Sequence, residues 1–182
     1  LDPRYAWALF RRGELHLDEG RHADAIADLT TSLEVEPGRA AVLAARGEAH
    51  RLSGEQEAAL ADFDASLAQA PDVSWVLASR AKSKVSLERN DSALDDFGRA
   101  LELQPDYPWA LAQRGELLRL LGRHQEAIGD LSRAIALEPG NAWAWASRGA
   151  SYRALGRLDE AWADLANAVH MDDRYAWALA NR

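Results

Sequence analysis

The sequence predicts an all-α stack of helix pairs, and three observations predict it. The chain repeats itself every 34 residues, a spacing marked by Pro37, Pro71, Pro105 and Pro139. Small residues align at the same spacing in two columns: Gly13, Gly47, Ala81, Gly115 and Gly149 in one, Ala25, Ala59, Ala93, Ala127 and Ala161 in the other. Within each repeat the apolar positions recur at helical spacing, and a period of this size means stacked units. Numbering each unit 1 to 34 gives five complete units, 6–39, 40–73, 74–107, 108–141 and 142–175, and a partial sixth, 176–182.

Each unit reads in the same order. Apolar or small residues at positions 4, 8 and 11 mark a first amphipathic helix, with Pro108 suited to a first helical turn. Gly20, Gly54, Gly122 and Gly156 at position 15 can take the left-handed conformation that ends it. The third unit lacks both this glycine and the one at position 8. Positions 20, 24, 27 and 28 mark a second helix, which proline at position 32 stops by breaking the hydrogen-bond ladder and biasing its predecessor away from helix. Asp173 stands where a fifth proline would. Glycine inside a helix costs about 1 kcal/mol relative to alanine. Its return at position 8 therefore predicts close approach of the second helix, with the alanine at position 20 facing it.

Arginine fills position 7 in every unit (Arg12, Arg46, Arg80, Arg114, Arg148) and aspartate fills position 23 (Asp28, Asp62, Asp96, Asp130, Asp164). Both lie eight residues from the turn at position 15, level with each other across an antiparallel hairpin, so a column of structural ion pairs is expected. Whether each aspartate serves its own unit's arginine or the next one's stays open at this point.

The grid resembles the tetratricopeptide repeat family, whose unit reads Trp at 4, Leu at 7, Gly at 8, Tyr at 11, Ala at 20, Phe at 24, Ala at 27 and Pro at 32. The resemblance covers nearly the whole chain, with positions 8, 20, 24 and 27 well matched. Two departures are systematic: leucine replaces tryptophan at position 4 in all units but one (Trp145), and arginine replaces leucine at position 7. The resemblance implies one repeat domain over residues 1–182, a right-handed α-solenoid or superhelix of antiparallel helix pairs, and a concave groove lined by the first helices. The absence of polar capping helices suggests a piece of a longer chain.

The formal charge of −8 argues against a protein that wraps nucleic acid. Most of the excess precedes residue 74. With no cysteine, disulfides and thiolate metal sites are excluded. No apolar run approaches a membrane span and no leader is present, so the expected compartment is the cytoplasm. No phosphate loop, metal-ligand spacing or serine, histidine and acid grouping stands out, so no enzyme activity and no cofactor or metal is expected. His16 and His50 share position 11 and read as core residues with a satisfied nitrogen. Lys84 also stands at position 11, where its stem can pack while the ammonium reaches water.

At 100° per residue, positions 2, 5, 9, 12 and 13 lie opposite the first helix's packing stripe. Position 2 holds Trp7, Trp75, Trp109, Trp143 and Trp177, interrupted only by Ala41. Position 5 is Phe10 and then alanine, which would leave floor beside each indole. Glu14, Glu48 and Arg51 accompany the early indoles; Lys82, Glu116, Arg119 and Arg153 accompany the later ones. These residues form the candidate partner-binding groove, because tryptophan buries a large apolar area with few rotors. The other reading is that each indole packs on the next repeat and stiffens the stack. Trp145 and Trp162 fall on packing positions and are expected in the core.

Some relatives of the family hold a terminal carboxylate with a clamp of lysine, asparagine and arginine. Phe10, Glu14, Ala45, Trp75 and Ser79 occupy those slots in the first three units, so a chaperone tail is not the expected ligand. The expected function is non-catalytic recognition of a protein or peptide segment in the groove, with acidic, apolar segments expected at the later half. Its rivals are the sensor arm of a larger signalling protein and a structural spacer or self-assembling scaffold. Arg174 to Leu179 repeat Arg4 to Leu9 residue for residue, which suggests weak end-to-end self-association.

Overall fold

The computed structural model describes residues 5–171 and consists there of ten α-helices. They are α1 (Ala6–Asp18), α2 (His22–Val35), α3 (Ala40–Leu52), α4 (Gln56–Gln69), α5 (Ser74–Ser86), α6 (Asn90–Leu103), α7 (Pro108–Leu120), α8 (His124–Leu137), α9 (Ala142–Ala154) and α10 (Leu158–Met171). Each complete unit thus contributes one first helix and one second helix. The partial sixth unit, with Trp177 and the repeated Arg174–Leu179 stretch, lies outside the described residues.

The punctuation is local backbone chemistry. Glu36, Ala70 and Glu138, each just before a proline, take extended ψ angles of 87°, 84° and 81°, and the second helices α2, α4 and α8 stop at the residue before them. At position 15, Gly20, Gly54, Gly122 and Gly156 have φ between 71° and 83°. Glu88 takes the same left-handed conformation, with φ of 58°, in the one unit that has no glycine there.

The chain divides into two compact bodies, Leu1–Leu103 and Gln104–Arg182. In the first, α1 packs on α2, α3 on α4 and α5 on α6 as antiparallel pairs; α2 also packs on α3, and α4 on α5. The first helices touch one another as well, α1 with α3 and α3 with α5, and so form one layer of that body. The second body repeats the plan with the pairs α7–α8 and α9–α10, joined through α8 on α9 and α7 on α9.

First and second helices both supply the core, and the second helices contribute its most deeply buried row. Ala25, Ala59 and Ala93 are fully buried beside Leu29, Phe63 and Phe97 in the first body, as are Ala127 and Leu131 in the second. The position-8 glycines lie against this row. A Cβ on Gly13 would sit 2.7 Å from Leu29 Cγ, one on Gly47 2.9 Å from the Phe63 ring, and one on Gly115 2.7 Å from Leu131 Cγ. The closest obstacle is therefore the position-24 side chain, with the position-20 carbonyl next: Ala59 O lies 3.3 Å from the same Cβ on Gly47. In the first unit, position 27 adds a buried polar tie, Ser32 Oγ donating to Ala6 O at 2.8 Å.

Two expectations change. The position-5 alanines are not open floor: Ala44, Ala78 and Ala146 are at most 2% exposed, because successive first helices pack on each other at that position. Trp162 is 54% exposed rather than core. Its position is covered elsewhere by a following first helix, as Ile26 is by the cluster of Val42, Ala45 and Ala49, and no helix follows α10 among the described residues.

Candidate functional site

The arginine column forms a bidentate pair in every unit. Arg12 donates through Nε and Nη2 to Asp28 at 2.5 and 2.6 Å, and Arg46 to Asp62 at 2.8 Å for both. Arg80 reaches Asp96 at 2.8 and 2.6 Å, Arg114 reaches Asp130 at 2.6 and 2.8 Å, and Arg148 reaches Asp164 at 2.7 and 2.8 Å. Each aspartate serves the arginine of its own unit. The remaining guanidinium nitrogen turns to position 25 of the preceding unit: Nη1 of Arg46 donates to Thr30 Oγ1 at 3.3 Å, that of Arg80 to Asp64 at 2.7 Å and that of Arg148 to Ser132 Oγ at 3.0 Å. The hydrogen bond from Arg46 to Asp62 raises the arginine pKa, against the opposing effect of burial.

Position 11 leans on the same carboxylates. Lys84 Nζ lies 2.7 Å from Asp96 Oδ2 instead of reaching water, since the half-buried pair offers a stronger partner. His16 Nε2 is 3.5 Å from Asp28 Oδ2, and its buried Nδ1 has no hydrogen-bond partner. His50 places Nε2 3.9 Å from Asp62 Oδ2 and sets Nδ1 2.6 Å from Glu55 Oε2. These contacts are structural and leave the first-helix face as the candidate site.

In the first body that face contains a cavity of about 670 Å³, a size within the range of ligand pockets. Phe10, Leu17 and Trp75 form apolar wall, Ala41, Ala44 and Ala45 line it from α3, and Glu14, Asp18 and Glu48 bring carboxylates. Phe10 is half-buried against the core cluster of Ala25, Val42 and Ala45, which fixes its ring. Trp75 at the start of α5 is 40% exposed. Arg11 donates to Glu14 at 2.7 Å, and Arg51 holds both oxygens of Glu48 at 2.8 and 2.5 Å. Trp7 is 52% exposed and its ring centroid is 6.1 Å from Tyr5. Lys82, one turn after Ala78, is half-buried.

In the second body, Trp109 and Trp143 are half-buried, and Trp109 tilts against Tyr107 at 6.0 Å. Arg119 donates to both oxygens of Glu116 at 2.8 and 2.7 Å, while Arg153 is exposed. Residues 5–103 carry 18 acidic and 11 basic side chains, a net of −7; residues 104–171 carry 8 and 7, a net of −1. The acidic excess and the cavity thus belong to the same body.

Sequence reasoning placed Phe10, Glu14, Glu48 and Trp75 on one face, and the structure brings these four together around the cavity. It missed Arg11 and Leu15, which also line it, and the importance of Ala41. The available signal was the interruption of the tryptophan column at that position. Among the described residues no helix is long and apolar enough to cross a membrane, and no three histidine, aspartate or glutamate side chains are grouped as a metal site requires.

A family model described as Tetratricopeptide repeat matches residues 4–74 and 79–142, and a second of the same description matches 131–163. No protein of curated function matches the chain. Among solved structures, the MamA protein superposes with a TM-score of 0.79 at 20% identity, over 94% of this chain and 93% of that one. YrrB, described as a TPR protein with an unusual peptide-binding site, does so with 0.78 at 21% identity, over 98% and 92%. TTC0263, a thermophilic TPR protein of Thermus thermophilus, gives 0.75 at 23% identity, over 96% and 95%. At these identities the likeness is one of fold.

Proposed function

The chain belongs to the tetratricopeptide repeat family, and we propose that it is a non-catalytic interaction module that takes a peptide segment of a partner protein on its first-helix face. The observation that carries this reading is the 670 Å³ cavity of the first body, walled by Phe10 and Trp75 and open to a segment lying across α1, α3 and α5. An extended chain laid there exchanges apolar area with fixed aromatic rings, and the rings give up little rotamer freedom on binding. YrrB, of similar fold, is described as having a peptide-binding site, which supports a peptide as the ligand class. The second body, taken by itself, carries Trp109 and Trp143 on its own first helices.

A random library of capped nonapeptides, presented to the intact chain and read by fluorescence polarisation, tests the proposal. Saturable binding by a subset of sequences, weakened about tenfold by Trp75→Ala, is the expected result. A library with no saturable binder overturns it.

A further inference from the structure

We propose that the cavity of the first body is a specificity pocket for one lysine or arginine side chain of an otherwise apolar partner segment. The pocket exists because the tryptophan column is interrupted at Ala41. The inference rests on the peptide-binding reading above and names the chemistry that the site selects.

Position 2 of the unit carries tryptophan in the first, third, fourth and fifth units and alanine only in the second. The cavity lies at that alanine: Ala41 and Ala44 line it, with Phe10 on the preceding first helix and Trp75 on the following one. Ala41 is itself exposed, so its methyl group faces open space where the other units place an indole. A missing side chain in a regular column leaves a recess of a side chain's size, and a partner can fill it with a side chain of its own.

The walls say which one. Three carboxylates, Glu14, Asp18 and Glu48, line the cavity against the guanidinium of Arg11, and Arg51 pairs with Glu48 from beside it, which leaves an excess of one negative charge. Arg11 and Arg51 position Glu14 and Glu48 by hydrogen bonds, but a carboxylate accepts at about four lone-pair sites, so each can still receive a donor from a ligand. An acidic ligand side chain would meet this charge and the body's net of −7. A purely apolar one would strip water from the carboxylates and return no hydrogen bond. Lysine and arginine satisfy both demands. The stem covers the apolar lining, the head reaches the carboxylates, and the electron-rich faces of Phe10 and Trp75 favour a nearby cation. In the second body position 2 holds Trp109 and Trp143 without interruption.

The test uses the intact chain and capped nonapeptides of alternating serine and leucine, with arginine, lysine, norleucine or glutamate at the centre. Arginine and lysine peptides should bind about tenfold more tightly than the norleucine and glutamate peptides. Ala41→Trp, which restores the column at an exposed position, should abolish that preference and weaken the arginine peptide about tenfold while the helical melting curve stays intact. The pair Glu14→Gln and Glu48→Gln should remove the preference for a cation but leave norleucine binding in place, which keeps the idea testable if Ala41→Trp folds poorly. Peptides that bind without a preference for a cation, or bind Ala41→Trp as they bind the wild type, overturn the pocket assignment and leave peptide recognition standing. Failure of every peptide, these and the random library alike, overturns both.

Discussion

Arg80 and Asp64 lie in consecutive repeat units and meet at 2.7 Å, Nη1 to Oδ1, while the other edge of the same guanidinium grips Asp96 of its own unit. One side chain thus closes a hairpin and also fastens it to the hairpin before. Burial pulls the Arg80 pKa down, and the hydrogen bonds and charges of Asp96 and Asp64 more than offset it, so the guanidinium ends above its ordinary value. Arg46 and Arg148 link neighbouring units in the same way, which gives a fold whose contacts run between nearest neighbours a set of directional ties besides apolar contact.

Breaking the column should cost most where the carboxylate has no second cation. Arg148→Ala leaves Asp164, with a side chain 5% exposed, in an ion pair with no other basic group among the described residues, and a loss of about 3 kcal/mol is expected for a buried pair cut on one side. Arg80→Ala should cost less, because Lys84 stays 2.7 Å from Asp96. Replacing both partners, Arg148→Leu with Asp164→Leu, should recover most of the loss. Urea denaturation of the variants measures this; equal, small losses throughout would show that the pairs contribute little.

The third unit carries a strained turn. Glu88 has φ of 58° where the other four units have glycine, and a left-handed conformation costs a side-chain-bearing residue roughly 1–2 kcal/mol. Glycine gives back part of that through unfolded-chain entropy, about 0.4–1 kcal/mol. Glu88→Gly should therefore stabilise the protein by up to about 1 kcal/mol, seen as a raised urea midpoint with an unchanged slope. A lowered midpoint would mean that the Glu88 side chain makes a contribution greater than its strain.

Arg123 donates to both oxygens of Glu126 at 2.7 Å in the first turn of α8. Its hydrogen bonds hold the Glu126 carboxyl below the ordinary glutamate range, against a smaller upward push from desolvation. A folded-state pKa below the unfolded one contributes stability that is present at neutral pH and fades as pH falls through the folded value. NMR titration of the carboxyl carbon should place the Glu126 midpoint below that of an ordinary glutamate, and Arg123→Gln or high salt should move it upward. A midpoint that ignores both changes would remove Arg123 as the cause.

The helices, their turns and the two columns of arginine and aspartate were legible because each follows from short-range rules: period, punctuation and hairpin arithmetic; that each aspartate serves its own unit's arginine rather than the next one's was not. Nor was what the neighbouring unit does. The reach of Arg46 Nη1 to Thr30 depends on the rotation between units, which no helical wheel contains. The burial of Ala44 and Ala78 follows from contact between first helices, although both residues lie opposite the stripe that faces their own second helix. Ala41 was visible as a gap in a column, but a gap becomes a cavity only once Phe10 and Trp75 stand on either side of it.

Position 8 gives a test of how closely each hairpin is fitted to its own residues. A Cβ on Gly115 would lie 2.7 Å from Leu131 Cγ and 3.4 Å from Ala127 O, so Gly115→Ala must displace the Leu131 side chain. The gain in helix propensity is about 1 kcal/mol, and overpacking costs about 1–3 kcal/mol, for an expected net loss of roughly 1 kcal/mol. In the third unit Ala81 already carries that methyl group, fully buried in the same hairpin as Phe97. The reverse change, Ala81→Gly, should therefore also destabilise, by about 1 kcal/mol, through lost propensity and packing. Thermal and urea unfolding of both variants decide the matter. If Gly115→Ala raises stability, the α7–α8 pair has room to relax and the glycine column is kept for a reason other than close approach.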